Sequence, residues 1–108
     1  MAVDNPDVID IVSVDPKGNT ILTIVDHLEW DDKNEHLLIL QEKINKYLSV
    51  IESGELLEVY PKAKGRQVVI RVVASYDPNA NGLRFLEQAK KIIKDAGFDF
   101  EFKMHNEK

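Results

Sequence analysis

Apolar positions along the chain follow two rhythms. In VIDIVSVD (8–15), TILTIVD (20–26), RQVVIRVVASY (66–76) and FDFEFKM (98–104) they alternate or run together with β-branched residues, which predicts strands. In between, Leu37, Leu40, Ile44, Leu48 and Ile51, with Tyr47 beside them, recur at helical spacing. Leu83, Leu86, Ala89, Ile93 and Ala96 do the same, with Phe85 and Ile92 in support.

The punctuation agrees with this division. DPKGN (15–19) is turn chemistry, so the first two strands form a hairpin. Asp31 or Asp32 opens the first helix, and Asp32 with Glu35 resembles a capping box; Gly54 ends that helix. ELLEVYPKAKG (55–65) reads as a connector whose Leu56, Leu57 and Tyr60 return to the core. DPNANG (77–82) breaks the chain and caps the second helix through Asn79 or Asn81, and Gly97 ends it. Residues 1–7 form a polar lead-in and 105–108 a tail, so residues 1–108 make one α+β domain.

The order is β-β-α-β-α-β. Right-handed crossovers put both helices on one face of a four-stranded mixed sheet, a two-layer sandwich with strand order 1-2-3-4. The other sheet face is then open. The last strand is polar there, but the first hairpin is apolar on both sides and the third strand adds Val69 and Val73. An apolar outer patch predicts an interface, with Ile9, Ile11, Leu22, Ile24, Val69 and Val73 as its candidate residues and a homodimer as the expected assembly. The competing reading is that the lead-in or the 55–65 connector covers this patch.

Composition narrows the classes. An apolar content of 44% in 108 residues suits a globular core. With no cysteine, disulfide scaffolds, thiolate zinc sites and cysteine nucleophiles are excluded. The net charge of −5 opposes nucleic-acid binding and is compatible with a basic protein partner. No apolar run approaches the roughly 20 residues of a membrane span, and the acidic MAVDNPDVID start lacks signal-peptide features. The expectation is a soluble cytoplasmic protein.

Candidate chemistry is concentrated in DHLEWDDKNEH (26–36). Most of its carboxylates are accounted for as helix caps and helix-start charges. Trp30, just ahead of the cap, is placed to pack over the first turn. What capping leaves over is His27, Glu29 and His36, a nitrogen and oxygen set suited to zinc or manganese, though its spacing matches no ligand signature. YPKAKGR (60–66) offers Lys62, Lys64 and Arg66 to a phosphate or an acidic partner, or is simply a solvated loop. The strand-loop-helix junction YDPNANGLRF (76–85) could hold an anion at the helix N-terminus, but carries too little glycine for a nucleotide loop. No serine sits in a nucleophile elbow, so no catalytic residues are assigned and no cofactor is expected.

VIDIVSVD, ILTIVDHLEWDDKNEHLLILQEKIN, YLSVIESGEL, YPKAKGRQVVIRVV and AGFDFEF resemble small bacterial proteins of the domain of unknown function 6572 family, over a span from about Asp4 to Phe102. The resemblance implies a stand-alone bacterial domain and brings no activity or site residues. The expected function is therefore a non-catalytic protein–protein interaction domain, immunity- or adaptor-like. The alternative is a small metal-binding protein or metal-dependent enzyme built on His27, Glu29 and His36. A small-ligand pocket between sheet and helices is a third reading.

Overall fold

The computed structural model describes residues 11–31, 33 and 35–104. Strands β1 (Ile11–Val14), β2 (Thr20–Asp26), β3 (Val68–Ala74) and β4 (Asp99–Met104) form one mixed sheet in the order β1-β2-β3-β4. β1 and β2 pair antiparallel, whereas β2–β3 and β3–β4 are parallel. Helix α1 (Glu35–Ser53) and helix α3 (Ala80–Asp95) are the two crossovers. The connector after α1 is more ordered than its sequence suggests: Gly54, at φ 89°, is followed by a short helix α2 (Glu55–Val59) and a 3-10 turn (Pro61–Ala63). Leu56 and Ala63 bury there, Tyr60 is half-buried, and Leu57 turns out to solvent.

Register decides which side of each strand meets the helices. Val12 pairs with Leu22, Leu22 with Ile70 and Ile70 with Phe100, so these residues share one face. Leu22, Ile24, Val68, Ile70, Val72 and Phe100 from the sheet meet Leu40, Ile44, Tyr47, Val50, Leu86, Ala89 and Ile93 from the helices in a single core. Burial of such side chains is the main stabilising term, about 1.5–3 kcal/mol each.

Two of the expected interface residues are corrected here. Leu22 and Ile24 are completely buried under the helices and present nothing to a partner. β2 is apolar on both sides, so alternation alone does not choose its inner face; the hairpin register and the crossover helices do. The outward set is Ile21, Thr23 and Val25, aligned with Val69, Arg71 and Val73. Even there Ile21 (1% exposed) and Val69 (4%) are buried within the single chain, and Val73 is half-buried, so this end of the outer face is not an open apolar patch. Ile9 and the side chain of Ile11 lie outside the described residues. Toward β4 the outer face is polar: Arg71 donates to Glu101 across the parallel pair at 2.7 Å, a partly exposed contact contributing about 0.2–1 kcal/mol.

The helices are rotated relative to the simple apolar reading. On α1 the fully inward side chains are His36, Leu40, Lys43, Ile44, Tyr47 and Val50, while Leu37 and Leu48 are half-buried along a flank. On α3 they are Gly82, Leu86, Ala89 and Ile93, with Leu83 (55%) and Ile92 (60%) exposed. Tyr76 lies past the end of β3 and is exposed.

Candidate functional site

Residues 26–31 leave the carboxyl end of β2 and lead into α1, passing beside the β3–α3 loop. Asp31 performs the capping: its carboxylate accepts from the backbone N–H of Glu35 at 3.2 Å and of His36 at 3.1 Å. Asp32, the other candidate cap, lies outside the described residues. The N–H of His36 foremost, against an opposing effect of burial and with lesser help from the N–H of Glu35, holds the Asp31 carboxyl below its usual range. A depressed carboxyl contributes stability that is present above its unfolded-state pKa and lost as pH falls through the lower folded-state value. The Asp31→Asn variant should therefore melt below the wild type near neutral pH, and the gap should close as pH falls below about 4. A gap that stays constant from neutral pH to about pH 2.5 would show that ionisation of Asp31 is not what stabilises the cap.

His36 turns inward rather than toward a ligand. Its Nε2 lies 2.5 Å from Asp26 Oδ2, and the two residues are 3% and 0% exposed. An ionised carboxylate only accepts, so Nε2–H is the donor. Nδ1 is buried without a hydrogen-bond partner, which suits the bare ring nitrogen of that tautomer. Asp26 also accepts from the N–H of Leu28 at 3.3 Å. Trp30 lies against the pair, its ring centroid 4.1 Å from that of His36, and donates Nε1–H to the carbonyl of Tyr76 at 3.1 Å. Asn79 joins the same knot: its Oδ1 caps α3 at Gly82 N, 2.8 Å away, and its Nδ2 reaches the carbonyl of Asp31 at 3.4 Å. The DHLEW stretch thus ties the end of β2 to the starts of α1 and α3. Both members of the pair are buried, and this arrangement joins the end of β2 to the two helix starts.

His27 and Glu29, by contrast, are exposed. The structure does not gather His27, Glu29 and His36 into a ligand set. Among the described residues no three His, Asp or Glu side chains are grouped so as to hold a metal ion. The basic loop is likewise only partly available. Lys62 and Lys64 are exposed, but Arg66 donates to the carbonyls of Lys62 (2.8 Å) and Gly18 (2.9 Å), pinning the 3-10 turn to the hairpin. Lys43 is a buried cation that the apolar pattern hides, with its Nζ 5.4 Å from the centroid of the Tyr47 ring.

The accessible concavity lies elsewhere, between α1 and α3 on the side away from the sheet. It encloses about 340 Å³, within the range of binding clefts. Its apolar lining is Leu37, Ile44 and Leu48 from α1 and Phe85, Ala89, Ile92 and Ile93 from α3. Polar groups line it as well: Gln41, Asn45, Asn81, Gln88 and one charge, Arg84. The helical spacing places Leu37, Leu48, Phe85 and Ile92 on the core side; Leu48 and Phe85 do pack against the core, Leu37 is half-buried, and Ile92 is exposed. The signal was an apolar stripe too wide for one buried face, with Leu37 next to Leu38 and Ile92 next to Ile93.

The model of the family of unknown function DUF6572 matches residues 1–106. The chain belongs to this family. No curated protein matches it, and no solved structure does. The DUF6572 chain has, among its described residues, no helix long and apolar enough to cross a membrane.

Proposed function

We propose that this DUF6572 chain is a non-catalytic protein–protein interaction domain of the bacterial cytoplasm, and that its contact surface is the α1–α3 groove rather than the outer face of the sheet. One observation carries the reading. The strongly exposed apolar side chains of the long helices include Leu38 at 58% and Ile92 at 60%, beside a cleft with an apolar floor, whereas the acid–base pair is closed to solvent. An apolar centre ringed by amides is the anatomy of a protein contact.

The test is mild co-purification from the native host with wild type and with Ile92→Asp as bait. Ile92 is mostly exposed, so the substitution should change the melting temperature by no more than about 2 °C, as surface changes do. A partner recovered with the wild type should fall at least about tenfold with the variant, the equivalent of about 1.4 kcal/mol. Recovery of the same partner at the same level with Ile92→Asp would remove the groove from the interface.

A further inference from the structure

The net charge of −5 points to a basic partner, but the groove itself has the opposite character. Among the described residues no Asp or Glu lines it, although the chain carries 19, and the one charged lining residue among them is Arg84. Arg84 continues outward into a shallow depression shared with Glu87, Gln88 and Lys91. Helix α3 as a whole holds four cations (Arg84, Lys90, Lys91, Lys94) against two carboxylates (Glu87, Asp95). Along this rim Arg84 and Lys91 stand against the single carboxylate of Glu87, a local excess of positive charge that favours acidic segments over basic ones whatever the total charge, because exposed charges are felt only over about a Debye length of 8–10 Å.

The extent of the apolar surface sets the kind of occupant. It does not stop at the cleft: Ile92 projects from the α3 rim, and Leu38 stands on α1 one turn before Gln41 and on the same flank. A small molecule filling the cleft would leave Leu38 in water. A third helix laid along the groove would cover the floor and both rims, as helix-in-groove recognition does. Gln41, Asn45 and Gln88 then sit at its edges, where they keep water or bond polar side chains.

From this we infer that the groove takes an amphipathic helix of a partner protein, with an apolar ridge flanked by Asp or Glu, the acidic flank lying over Arg84 and Lys91. The inference rests on the interaction reading above and adds the partner's chemistry to it. The probe is a fluorescently labelled synthetic helix of about 18 residues, five turns, with a Leu ridge and Glu flanks. Its comparison peptide has the same ridge and Lys flanks.

By anisotropy at low salt, the Glu-flanked peptide should bind about tenfold tighter than the Lys-flanked one, and the difference should shrink toward 1 M salt. Arg84→Glu should reverse the preference, and Ile92→Asp should abolish binding of both peptides, with circular dichroism unchanged. Equal or tighter binding of the Lys-flanked peptide overturns the charge assignment and leaves the interaction reading standing. Binding of neither peptide overturns the helix assignment, and if host co-purification is also insensitive to Ile92→Asp, the interaction reading falls with it. A dimer in light scattering that Ile92→Asp converts to monomer gives the groove to a second copy of the chain and overturns the proposal.

Discussion

Replacing His36 with Leu is expected to lower the free energy of unfolding by about 3–5 kcal/mol, a large part of the stability of a domain of this size. Asp26 is fully buried, and the imidazole supplies its shortest hydrogen bond. Leu fills much of the ring's volume but leaves the carboxylate with the longer 3.3 Å bond from Leu28 N–H as its remaining side-chain contact among the described residues. A buried acceptor stripped of its charge-assisted partner retains its desolvation cost and loses what offset it. The double variant Asp26→Val/His36→Leu removes both polar groups and should recover most of the loss, because replacing a buried pair by apolar residues is often neutral. Urea unfolding of the two single variants and the double variant measures this directly. A His36→Leu variant within about 1 kcal/mol of wild type would mean that the pair contributes little, and that water reaches Asp26 more freely than its burial implies.

The second large effect is expected from a substitution that helix propensity favours. Gly82 lies in the first turn of α3, and Ala in its place should gain up to about 1 kcal/mol by intrinsic preference. The structure reverses the sign. A Cβ at Gly82 would sit 2.7 Å from Cε3 and from Cζ3 of Trp30, and 3.0 Å from Cβ of Pro78. The indole cannot swing away cheaply, since it is held by its Nε1–H bond to the carbonyl of Tyr76 and packed against His36. Gly82→Ala should therefore destabilise by about 1–3 kcal/mol, the usual range for overpacking. With Trp30→Leu in the background the two closest contacts are gone and Pro78 Cβ at 3.0 Å remains, so the same change should cost clearly less than in the wild type. A double-mutant cycle by thermal or chemical unfolding reads the coupling. Gly82→Ala destabilising equally with and without Trp30 would show that the indole is not what demands glycine there.

Trp30 and Gly82 illustrate what could be read from the chain and what could not. That Trp30 packs near the start of α1 follows from its place just before the cap. That it also wedges against α3, 52 positions later, does not, because nothing local links the two. His36 and Lys43 illustrate the converse. Together with Leu40, Tyr47 and Val50 they recur at intervals of four, three, four and three, the spacing of an inward stripe. The signal was present, but the polar identity of His36 and Lys43 argued against it. For His36 it was resolved by Asp26 at the end of β2, and Lys43 lies inward with its Nζ 5.4 Å from the centroid of the Tyr47 ring. The groove residues divide: Leu48 and Phe85 pack against the core as their spacing implies while also lining the cleft, whereas Ile92 looks like core and is exposed because α1 and α3 leave a cleft between them.

By itself, the chain determined the four strands and two long helices, their order, the one-sided helical layer, the turn at Asp15–Asn19 and the narrow choice of caps, Asp31 or Asp32 and Asn79 or Asn81, from which the structure takes Asp31 and Asn79. Each of these depends on neighbours within a few residues, or on the fixed hand of a parallel crossover. Tertiary structure decided which face of β2 is inside, why a histidine and a lysine are buried, and where apolar surface stays open. Those outcomes depend on strand register and on contacts between residues far apart in sequence, and a strand apolar on both sides, or a helix apolar over more than one face, is compatible with more than one of them.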